Sequence, residues 1–275
     1  RSEAQKKGLK PKYDGTCRER TDTPEGASSV VRFKAPLEGS VVVEDLLRGK
    51  VVFDVVELDD LILQRTDGSP TYNFVVVVDD ADMGITHVVR GDDHLSNTPR
   101  QCLLYDALNF PRPKFVHIPM ILGQDKARLS KRHGATSALA YRDMGYLPSA
   151  LINYLARLGW SHGDQEIFSQ EEMIQHFSFD SVNTSAAVFD PDKLSWLNEH
   201  YIKTTAPEEL AQSLEPFLIS SGILKEGHGL DFAEIARVIP SLNQRAKTLI
   251  EMAEKSAFYF KKEVEFDEKA KTKFL

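Results

Sequence analysis

Apolar positions run in short blocks through the first half of the chain and recur at helical spacing from Thr136 onward, so two kinds of architecture are expected. Val30-Val31-Arg32-Phe33, Gly39-Ser40-Val41-Val42-Val43, residues 50–56 and Leu61-Ile62-Leu63-Gln64-Arg65 read as strands of a small β-containing module. Thr66-Asp67-Gly68-Ser69-Pro70 supplies strong turn chemistry and a boundary near residue 71. Tyr72-Asn73-Phe74-Val75-Val76-Val77-Val78 is a continuous β-branched and aromatic run, which predicts a strand buried on both faces of a parallel sheet. His87-Val88-Val89-Arg90 predicts a second strand, and Gly91-Asp92-Asp93-His94 a polar turn. Residues 97–108 predict a helix capped by Ser96, and residues 115–122 a further buried strand. That order, ending in a basic loop, is half of a doubly wound nucleotide-binding fold. Helices are then predicted over residues 137–144, 148–158, 169–176, 189–201, 207–221, 231–238 and 242–261. Ser169-Gln170-Glu171-Glu172 fits a capping box.

Composition narrows the class. The chain has 275 residues, 41% of them hydrophobic and 27% charged, as in a globular protein of about two domains. No apolar stretch approaches the roughly 20 residues that span a bilayer, and the first residues hold no apolar signal-peptide core. A cytoplasmic protein with no membrane partner is therefore expected. Cys17 and Cys102 stand far apart, which makes neither a disulfide framework nor a zinc site of closely spaced thiolates. A formal net charge of -7 argues against a generally basic nucleic-acid coat, yet a local basic surface can still bind phosphates. The chain starts without Met, on residues that read as the end of a polar helix, so a preceding N-terminal part is expected.

The candidate chemistry centres on the loop Gln124-Asp125-Lys126-Ala127-Arg128-Leu129-Ser130-Lys131-Arg132-His133-Gly134. Its cations surround one small hydroxyl residue, as suits stabilisation of a departing polyphosphate, although a solvated basic turn has the same composition. Arg90, at the end of a predicted strand, suits bidentate carboxylate recognition or a structural ion pair. Tyr72 suits a binding site or core packing, and Asp93 a ligand contact or a turn. The adjacent acids Asp79 and Asp80 would point to opposite sides of an extended strand, which favours turn formation over paired-carboxylate chemistry. His117, His133 and His162 have no suitably spaced ligand partners, so surface or hydrogen-bonded histidines are expected.

Taken together, Gly68-Ser69-Pro70-Thr71-Tyr72-Asn73-Phe74, Val77-Val78-Asp79-Asp80, Thr86-His87-Val88-Val89-Arg90-Gly91-Asp92-Asp93-His94 and Asn97-Thr98-Pro99-Arg100-Gln101 resemble the bacterial glutamyl-tRNA synthetases. Arg128-Leu129-Ser130-Lys131-Arg132 is similar to the K-M-S-K-S signature of class I synthetases, in the K-L-S-K-R form of this family. Gly145-Tyr146-Leu147-Pro148 and Leu158-Gly159-Trp160-Ser161 extend the resemblance along the chain.

The resemblance implies an α/β fold: a partial class I synthetase nucleotide-binding (Rossmann-like) fold with a β-containing insertion module and an all-α C-terminal region. Residues 1–71 would end the inserted acceptor-arm module and 72–123 form the second half of the nucleotide fold. Residues 124–204 would carry the signature loop and a stem-contact region, and 205–275 begin the anticodon-binding domain. It further implies activation of glutamate by ATP, with Mg²⁺, to glutamyl-adenylate, then transfer to tRNA(Glu) by a monomer. Lys131 would stabilise the pyrophosphate side of the transition state. Asp93, Arg128, Leu129, Ser130, Lys131 and Arg132 would contact ATP, and Tyr72 and Arg90 would bind glutamate.

Several positions depart from the family pattern. The first signature lysine is replaced by Arg128, and no H-I-G-H type signature occurs anywhere, which implies a fragment that is inactive alone. Cys17 is followed by Arg18-Glu19 without the Cys-x-His pairing of zinc-bearing members, so no zinc is expected. The competing reading is a non-catalytic tRNA-binding remnant of the scaffold. A relative that modifies a tRNA base with glutamate would lack the helical region after Tyr201.

Overall fold

In the first of two units, Arg1–Met120 and Ile121–Leu275, the elements are β1 (Val31–Arg32), β2 (Ser40–Asp45), β3 (Gly49–Asp54), β4 (Ile62–Gln64), α1 (Tyr72–Asp82), β5 (His87–Gly91), α2 (Thr98–Ala107) and β6 (Lys114–Ile118). The computed structural model describes residues 8, 12–22, 25–130, 132, 134 and 137–260. Strands β1 and β4 pair antiparallel, and a four-stranded sheet has the order β3-β2-β6-β5. Within it β2 and β3 form an antiparallel hairpin, while β6 runs parallel to both β2 and β5. The β5-α2-β6 crossover is the expected strand-helix-strand unit. Strands β2 and β3, from ahead of residue 71, join the same sheet.

Alternation in β2 buries Val41, Val43 and Asp45 on one face. The two valines enter a core with Val77, Cys102, Leu104, Tyr105 and Phe115. The Asp45 carboxylate then accepts the amides of Leu47 and Arg48, both at 2.9 Å, which turns the chain into β3. Gly49 supplies the positive φ of 70° that closes this turn.

Three expectations for this unit are corrected. Residues 72–78 are helical, not a strand: Phe74, Val77, Val78 and Ala81 fall at i, i+3, i+4 and i+7, with Val77 buried and Phe74 and Ala81 packed on the same core. Burial of that face overrides the β-propensity of the valines. Asp79 and Asp80 consequently lie on a helix instead of flanking a strand end, and Asp80 accepts from the Tyr105 hydroxyl at 3.4 Å. Burial pushes the Asp80 carboxyl up. Asn97, not Ser96, occupies the N-cap of α2 and makes no side-chain capping bond. The run 115–122 does not continue as one strand. Strand β6 ends at Ile118, before Pro119, which has no N–H to donate, and Leu122 bridges to Arg128 and Val188 in the second unit.

The second unit contains α3 (Ala138–Asp143), α4 (Pro148–Gly159), α5 (Gln170–His176), α6 (Pro191–Thr204), α7 (Pro207–Ser220), α8 (Phe232–Ala236), α9 (Ile239–Leu242) and α10 (Leu249–Phe260). The capping box at α5 is complete: Ser169 Oγ accepts the Glu172 amide at 3.1 Å, and Glu172 accepts the Ser169 amide at 2.7 Å. The helix expected over 242–261 is broken, because Thr248 to Glu251 carries its own start signal. Thr248 Oγ1 accepts the Glu251 amide at 3.2 Å, and Glu251 accepts the Lys247 amide at 3.1 Å. Leu210, Leu214, Leu218, Ile235, Ile239 and Met252 fill the main core, and Tyr154, Leu194 and Leu197 a second cluster. Among the described residues no helix is long and apolar enough to cross a membrane.

Candidate active site

Parallel register places Arg90 of β5 beside His117 of β6, and the helical spacing of Thr98 and Gln101 puts both on one face of α2. Arg90 Nε donates to His117 Nε2 at 3.3 Å, while Nη2 donates to Thr98 Oγ1 and Gln101 Oε1, each at 2.7 Å. Gln101 Nε2 in turn donates to Asn73 Oδ1 at 3.0 Å, which ties α1 to the same corner. The Arg90 guanidinium is partly buried yet has no carboxylate within ion-pairing distance among the described residues. Its three acceptors are neutral, so its charge is oriented without being cancelled.

Behind Arg90, His117 Nδ1 lies 2.6 Å from Asp45 Oδ2, with both side chains fully buried. The aspartate also accepts the His117 amide at 3.1 Å, in addition to the two turn amides. Burial raises the Asp45 carboxyl, but the His117 contact and the Arg48 and Leu47 amides outweigh it and leave the pKa below the usual range. Burial lowers His117; the pull of Asp45 in the other direction is weaker than burial together with the charges of Arg90 and Arg48. Both directions describe an ionised aspartate and a neutral imidazole. The donors at Nε2, Arg90 Nε and the Thr98 hydroxyl at 2.9 Å, assign the imidazole proton to Nδ1.

Tyr72, half exposed at the start of α1, brings its hydroxyl to 3.5 Å from His94 Nδ1. It borders a cavity of about 700 Å³ that Tyr13, Arg32, Asp60, Asn73 and Arg100 also line. Asp93 sits in the one-turn helix Asp92–His94 directly after β5. Its carboxylate covers Gly91, where an added Cβ would lie 2.6 Å from Asp93 Oδ1. Tyr72, Arg90 and Asp93 therefore belong to one corner of the first unit, at the carboxyl ends of the parallel strands.

The signature loop belongs to the second unit and is a hairpin. Leu122 bridges to Arg128, Gly123 donates to the Ala127 carbonyl at 2.8 Å, and Leu129 donates to the Ile121 carbonyl at 2.9 Å. Lys126 takes a positive φ of 60° at the tip, and Asp125 accepts the Ala127 amide at 2.9 Å. Arg132 pairs with Asp125 at 3.3 Å, so the turn holds one of the loop's cations. Arg128 and Leu129 lie on the returning arm of the hairpin and Ser130 follows it, whereas Lys131 and His133 lie outside the described residues.

Sequence reasoning missed Asp45, Thr98 and Gln101 and treated His117 only as an unassigned histidine. The available signal was the buried face of β2 running Val41, Val43, Asp45, which puts an acid where a third apolar residue is expected. His162 stacks on His176 at 4.2 Å and faces Trp160 at 6.2 Å. Cys17 is exposed, and the buried Cys102 thiol is pushed up to about 11 by desolvation. Among the described residues no three His, Cys, Asp or Glu side chains are grouped to hold a metal.

Residues 1–196 match the family of class I tRNA synthetases (E and Q), catalytic domain, and residues 209–275 match an anticodon binding domain. The chain belongs to the class I tRNA synthetase family of the E and Q type. It is 56% identical over 275 residues to a glutamate–tRNA ligase of Geobacter sulfurreducens and 58% identical over 275 residues to one of Geotalea uraniireducens. Each match takes in 100% of this chain and 58% of the relative. The crystal structure of a glutamate tRNA ligase from Elizabethkingia meningosepticum in complex with its amino acid superposes with a TM-score of 0.80 at 31% identity, over 99% of this chain and 60% of that one. The chain thus spans a little over half the length of the curated relatives it matches.

Proposed function

We propose that the full-length protein ligates glutamate to tRNA(Glu) in the cytosol, through a glutamyl-adenylate formed from ATP with Mg²⁺ accompanying the nucleotide. The observation that carries this reading is Arg90: a partly buried guanidinium held by neutral acceptors, with Nη1 making no hydrogen bond to the described residues. Such a group attracts a carboxylate and recognises it through paired N–H donors. Arg90 would bind glutamate, and Tyr72 would close the site beside the amino acid. Asp93, Arg128, Leu129, Ser130 and Arg132 would contact ATP, with Lys131 on the pyrophosphate side. Residues 1–71 would contact the acceptor arm, 124–204 the tRNA stem, and the helices after 205 would begin the anticodon-binding domain. The strong identity to ligases along the whole chain supports these assignments.

Glutamate-dependent ATP–pyrophosphate exchange by the full-length protein, with tRNA(Glu) present, tests the reading. Lys131→Ala is expected to lower the exchange rate about 10² to 10³-fold, the scale for removing one group that stabilises transition-state charge. Near-normal exchange would remove Lys131 from the mechanism. No exchange by the unsubstituted full-length protein, with tRNA still bound, would favour a tRNA-binding remnant.

A further inference from the structure

Asp45 and His117 lie behind Arg90, and the proposed ligation assigns them no chemical step. We infer that Asp45, His117 and Thr98 are positioning residues for glutamate selection, fixing the Arg90 guanidinium through a single tautomer of the His117 imidazole. The inference rests on the reading of Arg90 as the glutamate-binding arginine.

An arginine that must meet a carboxylate has two conflicting needs. Its planar fork has to be held in one orientation, and its charge must stay available. A carboxylate partner would orient it and also cancel the field that attracts the substrate. Here the orienting groups are neutral, and the anion is set one imidazole away. Asp45 is held by the Leu47, Arg48 and His117 amides, so its free choice is to accept the Nδ1 proton of His117. That leaves Nε2 as a bare acceptor shared by Arg90 Nε–H at 3.3 Å and the Thr98 hydroxyl at 2.9 Å, a closer partner for that hydroxyl than the His94 carbonyl at 3.4 Å. Having given its proton to His117, the Thr98 oxygen accepts Arg90 Nη2. Each link has one direction, from Arg90 through Thr98 and His117 to Asp45.

With the proton on Nε2 instead, His117 would present N–H to N–H at Arg90, and the guanidinium would have to turn. The fully buried positions of Thr98, His117 and Asp45 keep water from substituting for any member. Because Asp45 also turns the β2/β3 hairpin, a purely structural role is the alternative, and the test must separate the two.

The full-length protein is assayed by pyrophosphate exchange with tRNA(Glu) present, and KM is measured separately for glutamate and ATP. Thr98→Val keeps shape and removes the hydroxyl. It is expected to raise the KM for glutamate on the order of tenfold, by misplacing the guanidinium, with the KM for ATP unchanged, and Thr98→Ser restores it. His117→Phe is expected to act in the same direction and more strongly. His117→Gln, whose amide oxygen can replace Nε2 as acceptor, recovers part of the loss. Thermal unfolding identifies variants that do not fold, and if those at residue 117 fail, the Thr98 pair decides. An unchanged glutamate KM in Thr98→Val, or equal rises for glutamate and ATP, overturns the inference. Arg90→Gln separates this from the underlying reading: a selective rise in glutamate KM there leaves Arg90 in place, whereas no rise removes both.

Discussion

At the scale of single residues, charge matters according to what surrounds it. Glu166 accepts Arg157 Nη2 and Lys193 Nζ, each at 2.7 Å, and these two cations hold its carboxyl at about 2. A carboxyl depressed on folding stabilises the protein above its ordinary pKa and loses that contribution as pH falls through the folded value. With 38% of the side chain exposed, solvent screening reduces the contribution to about 1 kcal/mol. Glu166→Gln is therefore expected to cost about 1 kcal/mol near neutrality, and the gap from the unsubstituted protein should narrow as pH falls from 4.5 towards 2. Denaturant midpoints across that range measure it, and a gap that stays constant contradicts the assignment. Arg90 is the opposite case, a cation with no carboxylate in ion-pairing distance among the described residues. Its candidacy was legible from its motif and its place at a strand end. Its support was not, because Asp45 and His117 are 72 positions apart and neither carries a local signal of the other.

At the scale of elements, local grammar succeeded where a complete capping pattern marked a helix start, although Ser96 does not cap α2. The Ser169 box starts α5, and Asp190 caps α6 by accepting the Asp192 amide at 2.9 Å. It failed at α1, where a valine run has the composition of a strand and the spacing of a helix, and burial decided between them. Gly145 joins three elements. Its carbonyl accepts the Leu249 amide at 2.9 Å, and the neighbouring Leu147 amide donates to Asn198 of α6 at 2.8 Å. Its φ is 82°, and an added Cβ would lie 2.8 Å from the Ile250 nitrogen and 2.9 Å from that of Leu249. Gly145→Ala should therefore cost about 2–3 kcal/mol, the left-handed penalty plus displacement of the α10 start. Gly163, at φ 52° with open space around it, isolates the backbone term, so Gly163→Ala should cost about 1 kcal/mol. Equal costs in denaturant unfolding would show that the contact with α10 carries no energy.

At the scale of the molecule, a chain of net charge -7 proposed to bind tRNA has to do so through local cations. Affinity of the full-length protein for tRNA(Glu) is expected to fall steeply with salt, log K against log [salt] sloping by about -0.7 to -0.9 for each phosphate neutralised. Titration between low and physiological salt measures this, and salt-independent binding would count against a phosphate-contacting surface. The sequence by itself determined the family, the helical character of the chain after Thr136, the basic loop and the candidacy of Arg90, because motifs, caps and turn residues act over a few positions. Tertiary structure alone decided that residues 72–82 are helical and that Asp45, His117, Thr98 and Gln101 assemble around Arg90. Strand register and burial bring those side chains together, and both depend on partners that no local pattern specifies.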